Sequence, residues 1–478
     1  MESYKQARTQ SQAGVPDKAQ RYRWRELSLL VIPFIILVIG MVQLLLLTNT
    51  KLDPTAPFST KSLPPIQGLI PIFGLIALML VLNAIFSFKF SKADQYLLPA
   101  VAMITGIGVL MALRQGPDLN PFPNPKLGTY QLIWTIIGAV ACVGTMFALR
   151  NLSFLQRYKY TFALLGLILV SFTVVNAFKV NLDSPTHDQV KIGPFSLQPS
   201  ELLKIFIVVF FAGYLSENRD ILAGRSNFRI GPFRLPPLRQ LGPIMLMLVI
   251  SLLFFLVVRE IGLALLVYSI FLCMIYLGAG KISYVAVGLL GFFLFGFIGY
   301  MLLGYIRNRF ATVGLDMVNW QDWSDATNLA ASNQYLQIVQ GIIALSSGGI
   351  LGAGLGLGHP TIVPVSQSDM VFVALGEELG LAGLFAIIGL YLLIIYRGFR
   401  IAIEASDSFQ QLLAAGLTSI FAIQTLIICA GNMKFFPLTG IPLPFLSYGG
   451  SSLIANFIII GILLRISHQT GVEREGLA

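Results

Sequence analysis

Charge is what this sequence is shortest of. Only 11% of its 478 residues are Asp, Glu, Lys or Arg, against about 25% in ordinary soluble domains. So little charge cannot cover a water-soluble fold of this size. Soluble enzyme, secreted module and disordered scaffold are excluded together. Cysteine is scarce too: Cys142, Cys273 and Cys429 lie singly within apolar runs, without the spacing of a disulfide framework or thiolate metal site. The three histidines, His187, His359 and His468, are scattered and no HExxH occurs, which disfavours a zinc centre. No GxxxxGK[ST] is present, and GAGLGLG falls in a connection on the side expected to be external, not after a cytoplasmic strand, which disfavours ATP-driven work.

What the chain has instead is apolar length. Hydrophobic residues make up 56% of it, gathered into runs of about twenty, the length that crosses a bilayer as a helix. The expected fold is an all-α polytopic membrane protein of about twelve transmembrane helices. The spans are expected near 27–48, 68–88, 96–113, 131–149, 161–178, 198–215, 242–258, 261–279, 284–305, 369–396, 410–430 and 450–464. Twelve spans leave both termini on one side. Of the 32 Lys and Arg, 21 fall in connections on that side and 10 on the other, with Lys204 inside a span. The positive-inside rule then places both termini in the cytoplasm, as for a protein of the inner (cytoplasmic) membrane. The net charge of +10 is read as a topology signal and an attraction to anionic lipid rather than as a nucleic-acid footprint. Residues 1–26 are polar and basic and lack a signal-peptide core and cleavage site, so a disordered cytoplasmic tail is expected there. Spans in 27–130 precede a core over 131–468, and 469–478 form a second tail.

Between the ninth and tenth spans lies the one long connection, 306–368. Trp320 and Trp323 suit a membrane interface, and the stretch Gln340 to His359, QGIIALSSGGILGAGLGLGH, is too Gly-rich and short for a comfortable span. A re-entrant or cavity-lining segment is expected, since irregular backbone at membrane depth survives only under cover of protein or water.

Ionisable residues near or within lipid are expensive and point to function. Glu201 and Lys204 open the sixth span in QPSELLK, three residues apart on one helical face; a self-neutralising ion pair is the plainer reading. Arg259 and Glu260 form a tight turn before Gly262, otherwise a solvated bend. Asp369 begins the tenth span in SQSDMVF, where a helix dipole alone would favour it. Glu377 and Glu378 follow in the same span, Glu377 about 12 Å deeper. Finally PLTGIPLPFLSYGGSS, Pro437–Ser452, combines three prolines and three glycines with the hydroxyls of Ser447, Tyr448, Ser451 and Ser452; a structural re-entrant turn would account for it too. The orientation puts Glu201, Lys204, Glu260, Asp369 and the Ser447–Ser452 loop at external ends of their spans. One extracytoplasmic polar cavity would gather them.

The combination of QPSELLK, GIIALSSGGILGAGLG, SDMVFVALGEELGLAG and PLTGIPLPFLSYGGSS resembles the SEDS (shape, elongation, division, sporulation) proteins of RodA/FtsW type. The resemblance covers roughly 131–468 and implies a ten-helix core, to which this chain adds about two N-terminal spans. It also implies a peptidoglycan glycosyltransferase that polymerises lipid II outside the cytoplasmic membrane, releases undecaprenyl diphosphate and works with a single-pass class B penicillin-binding protein. By the same resemblance Asp369 stands at the family's essential aspartate, and Glu201 and Lys204 match its PSExxK motif. Glu260 stands where an aspartate is usual, and Ser447 begins the SYGGSS signature. The chain departs from the family pattern in reading PVSQSDM for PEAHTDF. It also has Asp183 to Lys191, without an Arg-Trp pair, before QPSE, which leaves Lys191, Lys204 or no residue to meet a phosphate.

Glycan growth needs a group to take a hydroxyl proton and another to stabilise a departing diphosphate. Asp369 is expected as the base, or as ligand of a divalent cation such as Mg or Mn; Lys204, set by Glu201, is expected at the diphosphate. Glu260, Lys191, Ser447 and Ser451 complete the expected substrate site. Two rival readings remain. One is a flippase or permease with Glu377 and Glu378 as proton relay. The other is a non-catalytic scaffold for a penicillin-binding protein.

Overall fold

A computed structural model describes residues 22–52, 66–119, 123–180, 190–192, 195–220, 229–230, 233–234, 238–314 and 332–477. Trp320, Trp323 and most of the Asp183–Lys191 connection lie outside these residues.

In lipid a chain must satisfy its own backbone groups, so apolar runs become helices. The order is α1 (Trp24–Leu52), α2 (Ile66–Lys89), α3 (Leu97–Gln115), α4 (Leu127–Ala148), α5 (Ser153–Arg157), α6 (Lys159–Val180), α7 (Ser200–Glu217), α8 (Leu238–Val258), α9 (Ile261–Ala279), α10 (Ile282–Leu302), α11 (Gly304–Ala311), α12 (Ser332–Gly348), α13 (Val371–Glu404), α14 (Ser408–Asn432) and α15 (Gly450–Leu477). Every expected span falls on one of these helices. Nine of them, among the described residues, are long and apolar enough to cross a membrane. Over the residues whose side chains are described, the apolar parts of α6 and α8 are shorter, and α7 carries three charges, Glu201, Lys204 and Glu217. The chain is a multi-pass, all-helical membrane protein.

The ends differ somewhat from expectation. Arg23 and Glu26 are buried against each other as an ion pair where α1 begins, and 469–477 continue α15. Two small antiparallel ladders, unforeseen in the sequence, interrupt the connections. β1 (Val190–Ile192) pairs with β2 (Phe195–Leu197), and β3 (Arg229–Ile230) with β4 (Phe233–Arg234).

The centre of the bundle is α14 with α3 and α15, while α10 lies at the periphery with only Tyr284 buried. α15 packs along α4, α14 lies between α13, α7 and α9, and α6 covers α7. The N-terminal pair is part of the bundle: α1 lies on α3, and α2 on α1 and α4.

One helix is broken. Gly380 in α13 has φ 66° and ψ −173°, a conformation open essentially to glycine alone. The break is filled by the Gly-rich segment that follows α12. Ala353 and Gly354 N–H donate to the carbonyls of Glu377 and Glu378, and Leu381 and Ala382 N–H donate to those of Gly349 and Ile350, all at 2.9–3.0 Å. A Cβ on Gly380 would stand 2.2 Å from the Gly352 nitrogen, so two backbones touch there without side chains between them. The expected Gly-rich segment thus divides into a helix, α12, and a backbone ladder laid into the break of α13.

Candidate functional site

One end of the bundle collects the starts of α4, α7, α9, α13 and α15 and the ends of α3, α8 and α14. The loop 437–449 crosses this end. Its backbone is strongly constrained, with Phe445 at φ 64°, a left-handed value that persists in a non-glycine residue only where the surroundings hold it. Gly108 of α3 lets the Leu446 carbonyl approach: a Cβ there would lie 2.6 Å from it.

This loop is linked, directly or through one neighbour, to Lys204, the Arg259–Glu260 turn and the segment before Asp369, but not to Glu377 or Glu378. At its start the Leu438 carbonyl accepts from Arg309 of α11 at 3.4 Å. Thr439 packs on Gly262, where a Cβ would meet its carbonyl at 2.5 Å, bringing the Arg259–Glu260 turn alongside. The Pro442 carbonyl accepts from Gln424 Nε2 at 2.7 Å, and Gln424 Oε1 accepts from Lys204 Nζ at 3.0 Å. Lys204 in turn pairs with Glu201 at 2.6 Å. Ser447 Oγ accepts from Leu443 N–H at 2.7 Å and donates to the Ser368 carbonyl. Gln131 of α4 donates to the Ser447 carbonyl at 3.2 Å, and Tyr448 N–H donates to the Gln367 carbonyl at 2.8 Å. Ser451 Oγ accepts from the Gln198 N–H at 2.7 Å, which seats the entry to α7 on α15.

Asp369 stands where the turn over 366–369 runs into α13. Its carbonyl accepts from Asn432 of α14 at 3.0 Å, and its Oδ1 accepts from Ser368 Oγ at 3.0 Å. Loss of water pushes its carboxyl above the ordinary range; the Ser368 hydroxyl, its own backbone N–H and the charge of Arg309 pull it back in part. The side chain is only partly covered, so a substrate can reach it.

The structure therefore joins Asp369 to Ser447, and Glu201 to Lys204, with the 442–447 loop as the link between these pairs. It brings no ion pair between Lys204 and Asp369. Lys204 and Glu201 are 1% and 0% exposed, so that ammonium is enclosed by Glu201 and Gln424 and does not present an open face to a diphosphate. Arg309, which nothing in its local sequence singled out, is the cation that acts on Asp369. Lys191 lies on β1 opposite Ser196, and its side chain lies outside the described residues.

Glu377 and Glu378 are structural. Glu378 pairs with Arg114 Nε at 3.1 Å, and Glu377 Oε1 accepts from the His359 N–H at 2.7 Å. One oxygen of each carboxylate is thus engaged, by a guanidinium and by a backbone amide. Among the described residues no group of three or more His, Cys, Asp or Glu is arranged to hold a metal ion. Asp369 contributes a single carboxylate. A protein-only cage is therefore not built there, while Mg²⁺, which retains waters and uses one or two carboxylates with substrate phosphates, fits such a ligand. An apolar groove of about 170 Å³ opens between α1, α3 and α13, lined in part by Leu37, Met103, Leu355 and Leu379.

Residues 94–471 match the family described as cell cycle protein FtsW/RodA/SpoVE. Among curated relatives, the peptidoglycan glycosyltransferase RodA of Mycobacterium leprae is 36% identical over 388 residues, 79% of this chain and 78% of the relative. The probable peptidoglycan glycosyltransferase FtsW of Trichlorobacter lovleyi is 28% identical over 387 residues, 80% and 94%. Two solved structures share the fold. A chain from a peptidoglycan synthase complex that coordinates polymerisation and crosslinking superposes with TM-score 0.61 at 22% identity, covering 79% of this chain and 98% of that one. Rod shape determining protein RodA of Thermus thermophilus gives 0.52 at 21%, covering 78% and 96%. On its motifs, its helical architecture and these matches, the chain belongs to the FtsW/RodA/SpoVE family.

Proposed function

We propose that this chain is a peptidoglycan glycosyltransferase that polymerises lipid II at the outer face of the cytoplasmic membrane and releases undecaprenyl diphosphate. The observation that carries this is the placement of Asp369. Its carboxylate is fixed by Ser368, its backbone by Asn432, and the turn before it by Ser447 and Tyr448, at one end of a membrane bundle. The family's relatives bear the glycosyltransferase name.

The chemistry follows from what these side chains can do. A sugar hydroxyl of one molecule attacks the anomeric carbon of another, the C–O bond to the diphosphate breaks, and the hydroxyl proton must go to a base. Asp369 is that base. Desolvation raises its basicity, and a base is most effective when its pKa approaches the working pH. The leaving diphosphate gains negative charge in the transition state, where a fixed cation is worth most. Arg309 is the partly covered cation of this site and takes that role, while Lys204 and Glu201 act beneath the loop by holding Gln424 and Pro442. Glu260 and Ser451 line the same loop cluster. A divalent ion bound by Asp369 with the diphosphate would supply further charge neutralisation.

The bundle's other end holds Arg23, Lys92, Arg397, Arg465 and Arg474 in contacts with carboxylates and helix-end carbonyls. With the positive-inside rule this supports cytoplasmic termini, twelve spans and an extracytoplasmic Asp369. The likeness to a chain of a complex that couples polymerisation with crosslinking supports a crosslinking partner, a single-pass class B penicillin-binding protein.

The test is lipid II polymerisation by the purified chain, with and without that partner and divalent ions, beside Asp369→Ala shown to be folded by its thermal melt. Glycan strands from the parent, with a loss of about 10²- to 10⁴-fold in the variant, are expected. Parental rates from the variant would overturn the assignment of the base, and no strands under any condition would overturn the polymerase.

A further inference from the structure

α3 ends in two adjacent polar residues, and both grip the connection that carries Asp369. The guanidinium of Arg114 is a fork with three partners. Nε meets Glu378 Oε1 at 3.1 Å, Nη2 donates to the Gly358 carbonyl at 2.8 Å, and Nη1 pairs with Asp118 one turn on. The next residue, Gln115, accepts through Oε1 from Ser366 Oγ at 3.5 Å. One helix end thus holds the connection at 358 and lies beside it at 366, three residues before Asp369. From the other side Glu377 takes the His359 N–H at 2.7 Å, so consecutive backbone groups, Gly358 C=O and His359 N–H, are fixed by opposite charges.

Arg114 is 8% exposed in its side chain and Glu378 not at all. A buried charged pair is a poor source of stability. It is a good source of geometry, because a planar guanidinium satisfies several acceptors only in one orientation. Neither residue reaches the 437–449 loop or the Asp369 carboxylate; Arg114 acts on the 358–369 connection through the Gly358 carbonyl, and Glu378 stands on the helix that follows Asp369. Over 358–366 the connection is otherwise tied by the short turn Pro360–Ile362 against α13 and the buried Val363, whereas Gln367, Ser368 and Asp369 are tied to Tyr448, Ser447 and Asn432.

We propose that the Arg114–Glu378 pair is a positioning device that sets the height of Asp369 relative to the substrate, through the Gly358–Ser366 segment. The proposal rests on the reading of Asp369 as the catalytic base. It predicts a change in turnover rather than in substrate affinity, because a misplacement of about 1 Å at a reacting group costs up to about 10²-fold in rate.

The experiment uses the full chain and three variants. Arg114→Lys keeps the charge but cannot serve three acceptors at once. Arg114→Gln tests removal of the guanidinium, and Arg114→Gln with Glu378→Gln removes the pair without leaving a buried charge alone. For each, kcat and KM for lipid II are measured together with amide hydrogen exchange. The expected result is a fall in kcat of about 10- to 100-fold for Arg114→Lys and for the double variant, with KM within about twofold. Faster exchange at Gly356–His359 should accompany it, while Leu443–Ser447 stays protected. Parental kcat in both variants would overturn the proposal, and so would unchanged exchange over Gly356–His359. An inactive parent would overturn the polymerase reading instead, and the exchange measurement would still decide whether Arg114 holds the segment.

Discussion

Asp369 shows how one carboxylate is made both basic and directed. Removal of water raises its pKa, and Arg309 lowers it in part. The active form is the carboxylate, so activity is present above the raised pKa and is lost as pH falls through it. The acid limb of the pH–rate profile for lipid II polymerisation is therefore expected at higher pH than the value of about 3.9 for an ordinary aspartate. Arg309→Gln removes a charge that favours the ionised form, so the limb should move to still higher pH, with kcat falling by about tenfold or more from the lost leaving-group cation. Arg309→Lys should keep the limb near its parental position. A limb that stays put in Arg309→Gln would mean that Arg309 does not act on Asp369. Ser447→Ala is a milder change at the same place. It removes the contacts to Leu443 N–H and the Ser368 carbonyl, a loss of about 1–3 kcal/mol in a buried setting, and should lower the melting temperature and the turnover together.

At the scale of elements, the broken helix α13 and the segment laid into it stand or fall as one. Gly380→Ala places a methyl group 2.2 Å from a backbone nitrogen and an alanine at φ 66°. The backbone strain alone is worth about 1–3 kcal/mol. Gly389→Ala, nine residues on in the same helix, meets nothing within 4 Å and should be neutral or slightly stabilising. Melting curves of the two variants separate the requirement for a break at 380 from a general intolerance of change in α13; equal melting temperatures would refute it. This element also marks the limit of what sequence reveals. Apolar runs announce helices, and SDMVF next to SYGGSS announces a site, because each is a local pattern. The ladder from 349–354 to 377–382 pairs residues 24 and 32 apart through backbone groups that every residue possesses, so no side chain signals it. Arg309 and Arg114 were illegible for a related reason. Each is a basic residue near a helix end that belongs to no motif, and only the packing of α11 on the loop and α3 on α13 gives it a partner. Lys204 was legible as important but not as enclosed, because QPSELLK says nothing of Gln424.

The whole molecule sets a family core, residues 94–471, against a pair of helices that precede it. The pair is not a loose appendage. α1 buries Leu30, Leu37, Met41 and Leu44, and its Gln43 donates to the Leu355 carbonyl at 3.1 Å, reaching the Gly-rich segment itself. At the opposite end Arg23 donates to the Asp94 carbonyl, while Asp94 pairs with Arg397 of α13. The pair thus clasps α3 and α13 at both ends, and the apolar groove between them has α1 as one wall. Because lipid is as apolar as leucine, the gain from this packing is close fit and hydrogen bonding rather than escape from water. It is lost if α1 is removed, even though lipid replaces it. A chain beginning at Asp94 should therefore insert and retain the α4–α15 and α7–α14 contacts. It should melt lower by about 5 °C or more, given about 2–4 °C per kcal/mol in large domains. Its rate should also fall, because Leu355 loses its tether while Arg114 and Glu378 remain. Restoring α1 and α2 as a separate co-expressed peptide should recover both quantities, since the clasp is made of contacts and not of chain continuity. A truncated chain with parental melting temperature and parental turnover would show that the pair serves something other than the core it covers.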